Sequence, residues 1–146
     1  MYQSQLMVKR MTAKQYLNRA RRIDKRINDL LAQVKSTKNS VESITQNYGG
    51  DITTGTKNPH KFDRLVELES LVDEKVDELI AVKTEIIKTL SQLEDNRYYS
   101  LLNGYYLDMK TWEQVAIDNN YSYPHTMRLY GQALQEVDKI LKHDIK

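Results

Sequence analysis

The side chains best suited to do chemistry lie between Lys110 and Gln132, and they are hydrogen-bond donors and aromatic rings rather than a catalytic set. Arg128 can donate two hydrogen bonds to guanine in a major groove, and His125 or Gln132 can contact a base or a phosphate. Ordinary surface solvation is the alternative for each of them. The candidate DNA-contacting residues are Lys110, Thr111, Trp112, Tyr123, Pro124, His125, Met127, Arg128 and Gln132.

The elements that must position these groups are two short helices meeting at a sharp turn, within TWEQVAIDNNYSYPHTMRLYGQAL (111–134). Thr111 and Gln114 form a capping box, in which each side chain bonds the other residue's backbone N–H. Asn119 and Asn120 stop the first helix, because asparagine tolerates a left-handed conformation. Ser122 caps the second helix, with a proline in its first turn. The pattern predicts a helix-turn-helix, which makes double-stranded DNA the leading partner.

Helical spacing separates an inward face from an outward face in this segment. Val115 and Ala116 point inward from the first helix, and a small alanine suits a close helix crossing. From the second helix the inward set is Thr126, Leu129, Ala133, Leu134, Val137, Ile140 and Leu141. Trp112 is the best core candidate among the aromatic residues, and contact of its indole N–H with a phosphate is the alternative.

This segment resembles region 4 of the bacterial sigma-70 family, whose helix-turn-helix reads the promoter −35 element. The likeness begins upstream, in RYYSLLNGYYLDMKTWEQVA (97–116), and covers about one third of the chain. The resemblance implies that Tyr123, Pro124, His125, Met127 and Arg128 occupy the specificity positions. Sigma proteins usually place charged residues at the first four of these, so base preference does not transfer.

The whole chain is similar to small regulators of Gram-positive phages and prophages, of the ArpU/RinA late-transcription type and a related uncharacterised streptococcal-phage family. The resemblance implies a phage or prophage transcriptional regulator. Two alternatives stay open: a protein-interaction module that binds RNA polymerase or a host factor without reading DNA, and a phage DNA-packaging recognition subunit.

Composition excludes several classes of function. Five glycines and two prolines in 146 residues disfavour sheets rich in tight turns, and the absence of cysteine excludes disulfides and thiolate metal sites. The three histidines are far apart in sequence, and no glycine-rich phosphate loop is present. We therefore expect no enzyme activity, cofactor or metal. With no apolar segment of signal-peptide or membrane-spanning length, we expect a cytoplasmic protein.

Charge is distributed unevenly although the net charge is only +2. Residues 1–46 carry ten basic and three acidic side chains, residues 62–95 carry four and ten, and residues 96–146 carry six of each. A second basic patch is formed by Arg19, Arg21, Arg22, Lys25 and Arg26. It either contacts nucleic acid or lies on a solvated helix face that pairs with the acidic helix.

Two long heptad patterns precede the predicted helix-turn-helix. The first runs from Tyr16 to Ile44 at steps of four and three, after a capping box at Thr12 and Gln15, and the second runs from Leu65 to Leu93. Residues 47–58 contain three glycines and predict a flexible loop. Helices of opposite charge joined by such a loop predict a coiled-coil-like antiparallel hairpin.

The sequence thus predicts an all-α protein: residues 1–94 form a helical hairpin that serves as an oligomerisation region, and residues 95–146 form the helix-turn-helix domain. Because two helices alone bury little apolar surface, we expect a homodimer or a higher homo-oligomer.

Overall fold

A computed structural model describes residues 11–47 and 60–143, with side chains described for 11–42 and 60–143. All regular structure in these ranges is helical, as the sequence predicts. The helices are α1 (Ala13–Asn47), α2 (His60–Leu90), α3 (Asn96–Leu102), α4 (Trp112–Asp118) and α5 (Tyr123–His143). A π-helical turn, Asn103–Leu107, follows α3 directly. The predicted loop over 47–58 lies outside the described residues except for Asn47, which ends α1.

The chain divides into two compact units, Met1–Arg22 with Ile80–Lys146 and Ile23–Leu79. The first unit takes in the start of α1 and the end of α2 as well as the three later helices. The predicted division into residues 1–94 and 95–146 stays a prediction.

The second unit contains parts of α1 and α2 that contact each other. Lys38 Nζ lies 3.5 Å from Glu69 Oε1, and Lys61 Nζ donates to Ser40 Oγ at 3.2 Å. Four residues of the predicted heptad patterns are buried in this unit: Ile23, Ile27, Val34 and Leu68. Each retains 7–8% exposure, so this packing is thin, since a core residue of a larger domain is usually sealed from water.

The core of the first unit is better sealed. Leu101, Val115 and Leu129 form one buried cluster with a member from each of α3, α4 and α5. Partly buried aromatic residues pack around it, namely Tyr98, Tyr105, Trp112 and Tyr121. Burial of these side chains stabilises the fold by about 25 cal/mol for each Å² of apolar surface removed from water, so the cluster helps to hold α3, α4 and α5 together.

The start of α1 belongs to this first unit. The capping box at Thr12 and Gln15 forms as predicted, with Gln15 N–H donating to Thr12 Oγ1 at 3.2 Å and Thr12 N–H donating to Gln15 Oε1 at 3.0 Å. Asp138 Oδ1 on α5 accepts the Ala13 N–H at 2.7 Å, which satisfies another unpaired donor of the helix start. The last helix therefore holds the first turn of α1.

Tyr16 ties α1 to the end of α2. It is 1% exposed, and its hydroxyl bonds Thr89 Oγ1 at 2.7 Å. Thr89 interrupts the heptad pattern of α2, yet it is buried, because the tyrosine hydroxyl satisfies its polar atom. Burial raises the pKa of Tyr16 above its ordinary value, although the Thr89 hydrogen bond opposes that shift.

Candidate nucleic-acid interface

The candidate interface begins with the capped start of α4. Thr111 Oγ1 accepts the Gln114 N–H at 3.1 Å, which is the predicted cap. The prediction of the reciprocal bond, from the Thr111 N–H to the Gln114 side chain, is wrong. The Gln114 side chain turns to Asp118 instead, and its Nε2 donates to Asp118 Oδ1 at 2.7 Å. A charged acceptor one helical turn later competes for the amide, and charge-assisted bonds are the stronger ones.

The turn after α4 uses both predicted asparagines. Asn119 follows the last residue of α4, and its Nδ2 donates to the Val115 carbonyl at 2.8 Å. Asn120 has φ of 59°, the left-handed conformation expected of an asparagine that ends a helix. The chain therefore reverses within a few residues, and Tyr121 N–H donates back to the Ala116 carbonyl at 2.9 Å.

The start of α5 is fixed by Ser122, whose Oγ accepts the His125 N–H at 3.2 Å. Thr126, fully buried, donates from Oγ1 to the Ser122 carbonyl at 2.9 Å. The predicted inward positions are buried at Leu129, Ala133, Val137 and Leu141 and half-buried at Leu134 and Ile140. The first turn of α5 is thus held rigidly at its inner side.

The predicted outward residues of α5 differ in exposure. Tyr123 is 47% exposed, and Pro124, Arg128 and Gln132 are also exposed. Among the described residues, Arg128 has no ion pair or hydrogen bond, so its guanidinium is available to a partner.

Two further residues of this turn are half-buried, His125 and Met127. The His125 ring stands edge-on to Tyr121 at a centroid distance of 4.9 Å. Gln132 accepts a 3.0 Å hydrogen bond from the Tyr98 hydroxyl through Oε1, which leaves its amide N–H groups to face solvent.

Lys110 and Trp112 are engaged within the protein. Lys110 Nζ lies 2.8 Å from Asp118 Oδ2, which raises the pKa of the lysine and lowers that of the carboxyl. Trp112 is half-buried and stacks on Tyr105 at 4.2 Å with an interplanar angle of 10°. On its other neighbour, Tyr130, it packs at 4.4 Å. The fully buried aromatic residues are instead Tyr16 and Tyr106.

The π-helical turn carries two of these rings, Tyr105 and Tyr106, and the sequence patterns did not reveal this turn. Gly104 lies in this turn, where an added Cβ would stand 3.2 Å from Val115 Cγ2, so glycine permits the close approach of α4. In the same turn, the Tyr106 hydroxyl shares a 2.7 Å hydrogen bond with the Tyr130 hydroxyl. Burial, followed by this hydrogen bond, raises the pKa of Tyr106 far above its ordinary value.

The second basic patch belongs partly to each unit. In the first unit Arg19 pairs with Glu85, whereas Arg22 is exposed. Arg21 lies 3.9 Å above the centroid of the Tyr105 ring and donates to the carbonyls of Tyr105 and Lys110 at 2.6 and 3.3 Å. In the second unit Lys25 and Arg26 are exposed, and the lysine pairs with Asp29 at 3.1 Å.

Metal-ligand clusters and membrane-spanning helices are both absent from the described ranges. Over residues 11–47 and 60–143, no three His, Asp or Glu side chains gather where they could hold a metal ion. No helix in the same ranges is both long and apolar enough to cross a membrane. No protein-family model matches the chain, and no curated protein or solved structure was found to be similar to it.

Proposed function

We propose that this protein is a DNA-binding transcriptional regulator of the phage or prophage type, which acts at a promoter through a sigma region 4-like helix-turn-helix formed by α4 and α5. The observation that carries the proposal is the first turn of α5. Its inner side is buried and capped, while Tyr123, Pro124 and Arg128 are exposed. A recognition helix requires this combination, because its base-contacting side chains must project from a rigid support.

The turn between the two helices adds support. Helix-turn-helix motifs join their helices through a turn of a few residues, and Asn120 provides the left-handed residue that such a turn needs. The small, buried Ala116 suits the close crossing of the two helices.

The test compares Arg128→Ala with Arg64→Ala, since both arginines are exposed and the control lies on α2. DNA fragments retained by the wild-type protein from a random duplex library serve as ligands in a gel-shift titration. Loss of a bidentate contact to guanine costs about 1–3 kcal/mol, so Arg128→Ala should weaken binding by roughly fivefold to 150-fold. Equal affinity of the two variants would contradict the assignment of Arg128, and failure of the wild type to retain any duplex would contradict the proposed function.

We further propose that α1 and α2 form an antiparallel hairpin that makes the protein a homodimer. The contact of Ser40 with Lys61 and of Lys38 with Glu69 supports the antiparallel order. The second unit also exposes large apolar side chains, namely Leu31 (47%), Phe62 (54%), Val66 (66%), Leu71 (44%) and Val76 (37%). A thin two-helix core with this much exposed apolar surface favours a further protein partner, and a second copy would also provide the second half-site contact.

One observation favours a second candidate function, a module that binds RNA polymerase or a host factor without reading DNA. Ile117 on α4 is 67% exposed, residues 96–146 together have zero net charge, and Arg97 and Lys110 are paired with Asp95 and Asp118. Salt dependence discriminates between the two functions. Affinity for DNA falls steeply as salt rises, whereas affinity for a protein through a largely apolar interface does not.

A further inference from the structure

The outer face of α5 carries one continuous line of exposed residues. At 100° per residue, these residues fall within an arc of about 80° on the side away from the buried positions. They are Pro124, Arg128, Gly131, Gln135, Lys139 and Lys142, and we call them the α5 stripe. Only Pro124 and Arg128 belong to the first turns of the helix, so most of the stripe lies beyond the positions that the sequence pattern singles out.

The α5 stripe is positively charged, although residues 96–146 together have no net charge. It contains three cations and no carboxylate. The two acidic residues of α5 lie off the stripe and are engaged: Asp138 accepts the Ala13 N–H, and Glu136 pairs with Lys139 at 3.1 Å. The latter pair is exposed, with 74% of the lysine and 45% of the glutamate side chain accessible. Because exposed pairs of this kind are weak, Lys139 can exchange the carboxylate for a phosphate.

Gly131 stands at the middle of this face, and nothing inside the protein requires a glycine there. It is exposed, and an added Cβ would meet no atom within 4 Å. Glycine in a helix interior costs stability relative to alanine. A glycine without an internal packing role is consistent with close approach of an external partner to the helix backbone.

We propose that α5 binds duplex DNA along the whole α5 stripe, with Gly131 at the closest approach, Arg128 at the base edges and Lys139 and Lys142 at phosphates. This inference rests on the proposed function and specifies its docking surface. Arg128 and Lys142 are about 21 Å apart along the helix at 1.5 Å per residue. The stripe is longer than the roughly 12 Å width of a major groove, so a helix that enters the groove at Arg128 and leaves it obliquely brings its later lysines to the flanking backbone.

The first arm of the test changes Gly131. Thermal melting and binding to a labelled mixed-sequence duplex at low salt are measured for Gly131→Ala and Gly131→Leu. Because an added Cβ at Gly131 would meet no other protein atom and alanine favours the helix more than glycine does, alanine should raise the melting temperature by roughly 4 °C. It should nevertheless weaken DNA binding, and leucine should weaken it at least about tenfold, since the added atoms hold the duplex away. The close approach is refuted if Gly131→Ala is stabilised, Gly131→Leu is folded, and both variants bind DNA like the wild type.

The second arm changes Lys139 and Lys142. Each substitution by alanine should reduce the slope of log affinity against log salt by about 0.9, because one phosphate contact is lost. Lys88→Ala is the matched control, since Lys88 is exposed on α2 within the same unit, and its slope should equal that of the wild type. Slopes of both stripe variants equal to the control would overturn the inference while leaving DNA binding intact. Absence of duplex binding by the wild-type protein would reject the proposed function and this inference together.

Discussion

Arg21 should stabilise the first unit, and the substitution Arg21→Ala measures by how much. Its guanidinium covers the Tyr105 ring at 3.9 Å and donates to two carbonyl oxygens, at 2.6 Å to Tyr105 and at 3.3 Å to Lys110. A cation–π contact of this kind contributes about 1 kcal/mol, and a hydrogen bond from a charged donor about 1.5 kcal/mol. The longer bond adds little, so alanine should lower the free energy of unfolding by about 2.5 kcal/mol.

The assay is urea unfolding followed by fluorescence of Trp112, the only tryptophan in the chain. It stacks on Tyr105, the ring that Arg21 covers, so its emission reports on this region directly. With a slope near 1.5 kcal/mol per M, a loss of about 2.5 kcal/mol lowers the midpoint by about 1.7 M. Arg21→Lys should lose at least half of the stabilisation, because an ammonium lacks the planar fork that stacks and donates twice.

Arg22→Ala is the matched control, since Arg22 is the next residue and is exposed. Its unfolding free energy should change by less than about 0.5 kcal/mol. If Arg21→Ala unfolded at the same urea concentration as this control, the contacts of the guanidinium would have no energetic weight and the reasoning would be refuted. Arg21 would then be as available to an external anion as its neighbour.

Two further predictions concern alkaline pH and assembly. Tyr106 stays protonated in the folded protein well above its ordinary pKa of 10.0, so its contribution to stability is complete below that pH and declines as the pH rises above it. Tyr106→Phe should therefore flatten the decline of the unfolding free energy with pH, measured by urea unfolding above pH 10.0. The same decline in the variant and the wild type would contradict this prediction. Val66→Lys should convert the dimer into a monomer in analytical ultracentrifugation, because Val66 is 66% exposed on the proposed contact face. The control Lys35→Ala should leave the mass in solution unchanged, and a monomeric wild-type protein would rule out the homodimer.

The local structure of the candidate site was predictable because helix caps and the helical spacing of buried positions both depend on residues only a few positions apart. Thr111 and Ser122 each accept the backbone N–H three residues later, as their residue types and positions predict. The burial of Val115 and Leu129 follows from helical spacing alone. Gln114 was mispredicted because its side-chain amide has two partners within reach, the Thr111 N–H as a donor and the Asp118 carboxylate as an acceptor, and the sequence does not rank them.

Long-range contacts were not predictable in the same way. Thr89 looked like an interruption of an apolar pattern, and only Tyr16, on another helix, explains its burial. Arg21 looked like one member of a basic patch, but its bonding to carbonyls beyond α3 depends on the π-helical turn. In the sequence, an arginine that faces solvent cannot be distinguished from one that packs on an aromatic ring. These placements depend on the packing of segments distant in sequence, which periodicity does not encode.

The hydrogen bond between the Ala13 N–H and Asp138 Oδ1 joins residues 125 positions apart in the sequence, and this has a consequence for biosynthesis. A ribosome releases the start of α1 long before the residue that caps it, so the emerging chain cannot finish its first unit until α5 has left the exit tunnel. Contacts between residues far apart in sequence also slow folding, because closing the long intervening loop costs conformational entropy before the contact forms. Completion of this unit therefore waits for the synthesis of α5.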